Sequence, residues 1–230
     1  MRLDKYICQS TTLTRSQAKK MILQGRVNNG QQTLRNSAYK VQDGELITLD
    51  NKAITLRGNR YIMLNKPQGF ICSTVDEHLP SILNLIDVDH AEQLCIAGRL
   101  DADTTGLTLI TDDGQWSHLI TSPRKKCAKR YRVTIEQPID DHSCTLFTQG
   151  IQLKSEPHPC LPAKVIIESD LEVLLTISEG KYHQVKRMFA AIGNHVTALH
   201  REQIGDIQLD AELKPGEWRY LNEQEINSVG

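Results

Sequence analysis

The stretch GRLDADTTGLTLIT, residues 98–111, joins a polar loop to a run in which apolar and polar side chains alternate. The alternation from Leu107 to Thr111 predicts a β-strand with one buried face. The loop before it holds two carboxylates, Asp101 and Asp103, and its polar groups would need hydrogen-bond partners if they were buried. Such a loop is costly as a mere connection, so a functional role competes with a structural one.

The residues of this loop alone are compatible with several roles. The pattern of Asp101, Asp103 and Thr105 resembles the nucleophile loop of haloacid-dehalogenase-like phosphatases, but a glycine and an arginine interrupt the apolar strand that those enzymes need. With Asp112 at its twelfth position the stretch also imitates a calcium-binding loop, which requires flanking helices. A tight turn with side-chain-to-backbone hydrogen bonds is the structural alternative.

Short strands and isolated helices outside the loop predict an α+β fold around a mixed, mostly antiparallel sheet. Strand-like segments lie at 61–65, 131–135 and 171–178, and a helical pattern with one apolar face spans 185–192. The sheet is therefore expected to carry only a few flanking helices.

The N-terminal part predicts a separate, smaller domain of α/β type over residues 1–50. Helical spacing indicates helices over 2–9 and 15–24, the second opened by a capping box. Turn signals and short alternating segments follow and predict a small sheet. The polar segment 51–60 is interpreted as a linker, which leaves 61–230 for the larger domain.

Positive charge is segregated along a chain whose formal net charge is −1 at pH 7. Residues 1–40 hold eight Lys and Arg against one Asp, a net of +7, and residues 121–132 hold six cations and no acid. Residues 133–180 hold two Lys and eight acids, a net of −6. Two separate basic segments favour a nucleic-acid partner over a merely solvated surface.

Composition and cysteine spacing predict a cytoplasmic globular protein without metal or cofactor. Hydrophobic residues make up 39% and charged residues 24% of the chain, which are ordinary values. No apolar run reaches the roughly 20 residues of a membrane span, and the N-terminus carries charges where a secretory signal needs an apolar core. The six cysteines lie far apart, so there is no Cys-x-x-Cys metal or redox motif.

Two further segments place cations beside an aromatic or histidine side chain. Residues 122–132, SPRKKCAKRYR, bring Lys and Arg next to Tyr131, an arrangement that suits phosphates and a stacked base. Residues 179–189, EGKYHQVKRMF, lie between a predicted strand and a predicted helix, where a helix N-terminus with adjacent cations can bind an anion. A basic strand edge and an ordinary capped helix are the structural alternatives.

Taken in order, these segments resemble the RsuA group of pseudouridine synthases over nearly the whole chain. Residues 98–107 resemble the catalytic motif of the group, 61–69 its opening strand and turn, 129–131 its second motif and 179–189 its third. The N-terminal part resembles an S4-type RNA-binding domain. Several motifs in the expected order, behind the expected accessory domain, are far more specific than any one of them.

The resemblance implies an RNA pseudouridine synthase, an isomerase, in which Asp101 is the catalytic aspartate. It implies that Tyr131 contacts the target base and that Lys186 is the cationic partner of the aspartate, with Arg187 as the alternative. The remaining implied support consists of Ile177, which packs against the uracil ring, and Arg99 in the catalytic motif.

The finer pattern implies a substrate and partners. Residues 101–105 and 112–118 look closest to the members that act on small-subunit 16S rRNA, so the expected substrate is a uridine of that RNA, free or in an assembly intermediate, and the protein is expected to be monomeric. A synthase for large-subunit 23S rRNA and a non-catalytic RNA-binding assembly factor are the alternatives. The cations expected to hold RNA are Arg2, Lys5, Arg15, Lys19, Arg124, Lys125, Lys126, Lys129 and Arg130.

Overall fold

The computed structural model describes residues 1–229, which divide into two compact units. The first unit comprises Met1–Asn59 and the second begins at Arg60. Each unit has hydrophobic clusters of its own. Within residues 1–229, none of the helices is long and apolar enough to cross a membrane. The predicted α+β class, with a mixed and mostly antiparallel sheet, is confirmed.

The first unit combines two helices with a three-stranded antiparallel sheet. Its second helix begins with the predicted capping box, in which the amide of Gln17 donates to Thr14 Oγ1 at 3.3 Å and the amide of Thr14 donates to Gln17 Oε1 at 2.8 Å. Helical spacing turns Leu3, Ile7 and Ile22 inward, where all three are fully buried. The elements are α1 (Leu3–Ser10), α2 (Arg15–Leu23), β1 (Val27–Asn28), β2 (Ile47–Leu49) and β3 (Lys52–Ile54).

Strand β3 lies inside the segment 51–60 that the sequence analysis interpreted as a linker, so that part of the interpretation is wrong. Asp50 and Asn51 have φ values of 51° and 63°, and they form a tight turn that pairs β3 with β2. Asp and Asn tolerate this left-handed region because their short polar side chains bond locally. The pairing makes Lys52–Ile54 part of the first unit, which extends to Asn59.

The second unit is built on one mixed sheet of nine strands with few helices. The strands predicted at 61–65, 107–111, 131–135 and 171–178 and the helix predicted at 185–192 are present, with bounds that differ by two residues at most. The elements are β4 (Tyr61–Lys66), β5 (Cys95–Ala97), β6 (Thr105–Thr111), α3 (Gly114–Thr121), β7 (Lys129–Ile135), α4 (Asp141–Gln149), β8 (Lys164–Ser169), β9 (Glu172–Ile177), α5 (Gln184–Ala191), β10 (Val196–Ile204), β11 (Ile207–Gln208), β12 (Trp218–Tyr220) and α6 (Glu223–Asn227).

The strand order β12-β4-β6-β10-β7-β9-β8 puts β10 between β6 and β7. Strand β10 runs parallel to β6 and antiparallel to β7. Arg201 in β10 is consequently the register partner of Gly106 in β6 and of Tyr131 in β7. The sheet therefore sets the start of β6, where the polar loop ends, two strands away from the aromatic residue of the basic segment.

Gly106 is required by a close approach of two backbones. Its φ is +101°, a region that side chains of L-residues rarely adopt. A Cβ at this position would lie 2.8 Å from the amide nitrogen of Arg201 and closer still to the carbonyl oxygen of Arg201. The glycine thus permits the parallel contact between β6 and β10.

We expect Gly106→Ala to lower the free energy of unfolding by at least about 2 kcal/mol, because backbone strain and steric overlap act together. Gly114→Ala is the matched control, since Gly114 lies in α3 and no atom from outside its own helical backbone and its chain neighbours lies within 4 Å of its Cβ position. Urea unfolding of both variants and of the wild type measures the difference. Equal free energies of unfolding for the two variants would contradict this account.

Candidate active site

The polar loop, β7, the end of β9 and the start of α5 surround a cavity of about 700 Å³. These segments are far apart in sequence, and the sheet order brings them together. The cavity is lined by six of the predicted site residues, Arg99, Asp101, Lys129, Tyr131, Ile177 and Lys186.

The loop that carries Asp101 is held by a buried lysine that the sequence analysis did not single out. Lys66, at the end of β4, is fully buried, and burial lowers its pKa. Its Nζ donates to the carbonyl oxygens of Pro67, Ala102 and Thr104 at 3.1, 3.3 and 2.8 Å. The backbone of the loop is therefore fixed by contacts that do not involve the carboxylate of Asp101.

Helix α5 contributes a cation to Asp101, and the residue directly before the helix contributes an imidazole. Lys186 Nζ lies 3.3 Å from Asp101 Oδ2 and 2.6 Å from Asp103 Oδ1, and His183 Nε2 lies 3.4 Å from Asp101 Oδ1. Burial acts to lower the pKa of Lys186, but the hydrogen bond to Asp103 and the charge of Asp101 outweigh it and raise the pKa. The same hydrogen bond lowers the pKa of Asp103. A protonated lysine thus bridges the two carboxylates of the loop.

Arg187, the alternative partner of Asp101, faces a different carboxylate. Its Nη1 donates to Glu156 Oε1 at 2.9 Å and its Nη2 donates to the carbonyl oxygen of Lys154 at 2.6 Å. Successive side chains on an α-helix point about 100° apart, so two neighbouring residues contact different partners. The geometry brings Lys186 to Asp101 and ties Arg187 to the segment before β8.

Tyr131 and Ile177 form buried parts of the cavity wall. They lie on the neighbouring strands β7 and β9, whose backbones pair antiparallel. A tyrosine ring and a branched aliphatic group offer apolar surface against which a planar base can pack, and the phenol adds a polar group that can orient it. The wall therefore suits a nucleobase.

Arg201 is a functional candidate that the sequence analysis missed. Its side chain is only 1% exposed, and it donates to the carbonyl oxygens of Leu107 and Gly98 at 2.8 and 2.7 Å. Its Nη1 lies 3.5 Å from the hydroxyl of Tyr131, and its guanidinium carbon lies 6.0 Å from the centre of that ring. Arg201 thus connects the backbone before Asp101 to the aromatic wall. The weakly periodic burial of β10 explains why the sequence pattern did not reveal it.

The basic segment 122–132 divides into exposed and buried parts. Lys129 was expected to contact a phosphate, but its side chain is buried on the same face of β7 as Tyr131. Its Nζ donates to two backbone carbonyl oxygens at 2.9 and 3.3 Å. Burial lowers the pKa of Lys129. Arg130 is half-buried, with its Nε 3.3 Å from Glu202 Oε2. The exposed cations of the segment are Arg124, Lys125 and Lys126.

In the first unit, two of the predicted RNA-binding cations converge on a buried aspartate. Asp4 accepts hydrogen bonds from Arg2 Nη2 at 2.9 Å and from Arg15 Nε at 3.2 Å. The hydrogen bond from Arg2 outweighs burial and holds the pKa of Asp4 well below its usual range. Arg2 and Arg15 remain exposed, as do Lys5 and Lys19. The unit therefore presents a cationic surface on its helices.

The geometry contradicts the calcium-loop alternative for residues 101–112. The loop leads into the seven-residue strand β6 and not into a helix, so Asp112 lies about 20 Å further along, at a rise of about 3.3 Å per residue. Asp112 Oδ2 accepts a hydrogen bond from Arg60 Nε at 2.8 Å. Asp101 and Asp112 therefore cannot bind the same ion.

Comparison with known proteins identifies the family to which the chain belongs. A family model described as RNA pseudouridylate synthase matches residues 60–191. The chain belongs to the RNA pseudouridylate synthase family. The matched range includes the loop of Asp101, β7 and α5, and it confirms the family predicted from the motifs. A model of the S4 domain matches residues 1–47, within the first unit, which confirms the predicted S4-type domain.

Relatives within the pseudouridylate synthase family resemble the chain over its whole length. A protein of Vibrio parahaemolyticus is 51% identical over 231 residues, which cover 100% of this chain and 99% of the relative. A protein of Escherichia coli strain K12 is 51% identical over 230 residues and 100% of both chains. Both relatives are named ribosomal small subunit pseudouridine synthase A. A crystal structure of a pseudouridylate synthase matches with a TM-score of 0.73 at 46% identity, over 100% of both chains.

Proposed function

We propose that the protein isomerises a specific uridine of small-subunit 16S rRNA to pseudouridine, with Asp101 as the nucleophile. The observation that carries the proposal is the position of Asp101 in a cavity of about 700 Å³, with Lys186 Nζ 3.3 Å from its carboxylate and Tyr131 and Ile177 in the wall. A cavity of this size is typical of a site for one small ligand. The names of the full-length relatives support the small-subunit RNA as substrate.

The isomerisation breaks the bond between N1 and C1′, turns the uracil, and joins C5 to C1′. The proton on C5 is lost and N1 gains a proton, so that uridine and pseudouridine have the same atoms. As the proposed nucleophile, the carboxylate attacks C1′ or C6, and in the alternative route it is the base that deprotonates the sugar. In each route Asp101 supplies the carboxylate, and the protonated Lys186 balances its charge.

The other residues of the cavity hold the base. A uridine must leave its stack to reach Asp101, as with other enzymes that act on a base. Tyr131 contacts the extruded uracil, Ile177 packs against its ring, and Arg99, which lies in the same loop as Asp101 and lines the cavity, supports the site. Arg201 keeps Tyr131 and the backbone before Asp101 in register.

We also propose that rRNA is the partner of both basic segments and that the protein acts as a cytoplasmic monomer. The exposed cations of the first unit and of the segment before β7 suit the phosphate backbone. Free 16S rRNA and a small-subunit assembly intermediate present the same uridine in different surroundings, and both are candidate substrates.

Pseudouridine mapping tests the proposed function. Small-subunit rRNA, large-subunit rRNA and a small-subunit assembly particle are each incubated with the wild-type protein, and every pseudouridine is located. The expected result is one new pseudouridine in small-subunit rRNA. A new site in large-subunit rRNA alone would replace the proposed substrate, and no new site in any of the three, with binding intact, would favour an assembly factor.

We expect removal of residues 1–59 to weaken rRNA binding and to make it less dependent on salt. Each phosphate neutralised on a single strand contributes about 0.7 to the slope of log affinity against log salt. Loss of contacts from Arg2, Lys5, Arg15 and Lys19 should therefore flatten the slope by up to about 3. A full-length variant with Lys5 and Lys19 changed to Gln should flatten it by about half as much. An unchanged slope in both proteins would count against the first unit as an RNA-binding surface.

A further inference from the structure

Tyr182, at the rim of the cavity, is unusually exposed for an aromatic residue. Its side chain is 76% exposed, more than any other large hydrophobic side chain within residues 1–229. Its ring stacks on the imidazole of His183 with centroids 3.8 Å apart and an angle of 20° between the planes. Since the imidazole covers one face of a ring that is mostly exposed, the other face is open to solvent.

The backbone around this stacked pair is held in place. His183 has φ 46° and ψ 38°, in the left-handed region, directly before α5. The carbonyl oxygen of Tyr182 accepts a hydrogen bond from Arg187 Nη1 at 3.1 Å. His183 Nε2 lies 3.4 Å from Asp101 Oδ1. Backbone strain of this kind persists where surrounding contacts impose it, and it is concentrated at functional sites. The exposed ring of Tyr182 contributes little to the hydrophobic core, so the stability of the fold does not explain its position.

The stacked pair of Tyr182 and His183 lies where it could contact a nucleotide next to one bound at Asp101. A single imidazole separates the ring of Tyr182 from the carboxylate of Asp101, and both Tyr182 and Arg99 line the cavity. Arg99 is exposed and can meet a phosphate. Proteins that bind single-stranded RNA combine such cations with aromatic rings on which successive bases stack.

We propose that the stacked pair of Tyr182 and His183 is a platform for the base of a nucleotide next to the target uridine. The inference rests on the proposed function, because it places the target uridine at Asp101. The open face of Tyr182 takes the neighbouring base, which holds the strand while the uridine is extruded. Every base has a planar face, so the platform accepts any of the four and contributes affinity more than sequence choice.

The test compares substitutions of Tyr182 in the full-length protein on in-vitro-transcribed small-subunit rRNA. Tyr182→Ala and Tyr182→Leu remove the aromatic ring, and Leu retains apolar bulk. Both are expected to raise the half-saturating concentration in single-turnover pseudouridine formation about tenfold, with little change in the maximal rate. Tyr182→Phe retains the ring and should recover most of the affinity. Tyr220→Ala, which removes another exposed tyrosine, in β12, is the matched control and should behave as wild type.

A second RNA makes the test specific for base stacking. Once the modified uridine is mapped, short RNAs are made in which the nucleotide before it or after it lacks a base. On one of these two RNAs, Tyr182→Ala and the wild type should have equal half-saturating concentrations, because the wild type has lost the contact that the substitution removes. Equal penalties on the intact RNA and on both abasic RNAs, or equal half-saturating concentrations for wild type and Tyr182→Ala, would overturn the platform while leaving the synthase activity established.

Failure of the proposed function gives a different result. If wild-type protein forms no pseudouridine in any RNA, the equilibrium affinity for oligouridylate still tests the platform. About tenfold weaker binding by Tyr182→Ala than by wild type, with Tyr182→Phe in between or equal to wild type, would support a base-stacking surface. Equal affinities of all three proteins would overturn it.

Discussion

Asp101→Asn is expected to abolish pseudouridine formation, with a rate at least about a thousandfold below wild type. An amide is neutral and is a far weaker nucleophile and base than a carboxylate, whichever atom of the nucleotide is attacked. Because Lys66 fixes the loop through backbone carbonyl oxygens, the variant should fold as the wild type does. The measurement is pseudouridine formed per rRNA molecule in a single turnover, with RNA affinity determined in parallel.

Asp103→Asn is the matched control for this prediction. Asp103 lies in the same loop and bonds the same lysine, but its side chain is 67% exposed. Exposed ion pairs contribute little free energy, so the loss of rate should stay below about tenfold. Wild-type turnover by Asp101→Asn, or equal losses in the two variants, would contradict the assignment of Asp101. Normal binding by Asp101→Asn without turnover would separate an enzyme from an assembly factor.

Lys186→Met should lower the rate about a hundredfold or more, the second largest effect that the structure predicts. Methionine has nearly the length of lysine but no charge, so Asp101 and Asp103 lose the cation that now bridges them. A fixed cation beside reacting groups stabilises the charge that develops there, and its removal raises the barrier to reaction. Single-turnover rates on the mapped rRNA site measure the loss.

Two further substitutions test whether the loss of rate arises from the contact between Lys186 and Asp101. Lys186→Arg keeps a cation and should recover part of the rate. Arg187→Met removes a cation from the next position but breaks a contact with Glu156 instead, so its rate should stay within about tenfold of wild type. Activity of Lys186→Met close to wild type, or a larger loss in Arg187→Met, would show that the partner of Asp101 is misassigned.

Much of the fold was predictable from local pattern, because strands and helices expose their periodicity along the chain. The capping box of Thr14 and Gln17 predicted where α2 begins, and alternation predicted β6, β7 and β9. The elements that were not predicted include two with weak periodicity. Strand β10, between β6 and β7, mixes buried and exposed positions irregularly, and β3 follows a turn of Asp50 and Asn51 that was interpreted as linker.

The candidate site was predictable as a set of residues but not as an arrangement. The order of the motifs singled out Asp101, Tyr131, Ile177 and Lys186, and all four line one cavity. Lys66 was part of a segment that resembled an opening strand. Nothing in that segment indicated that its ammonium would donate to backbone carbonyl oxygens of the loop that carries Asp101. A lysine in a sequence carries no sign of burial, since its long side chain more often reaches solvent.

The order of residues in the chain was sufficient to predict the family, the presence of two domains and the identity of the charged groups, because motifs and periodicity are local properties. It left open whether Lys186 or Arg187 contacts Asp101. It also gave no sign that Lys129 is buried or that Arg201 joins Tyr131 to the backbone before Asp101. These contacts join residues that are distant in sequence, and the direction of α5 and the register of β10 set them. Direction and register arise from packing of the whole sheet, and no short stretch of sequence contains them.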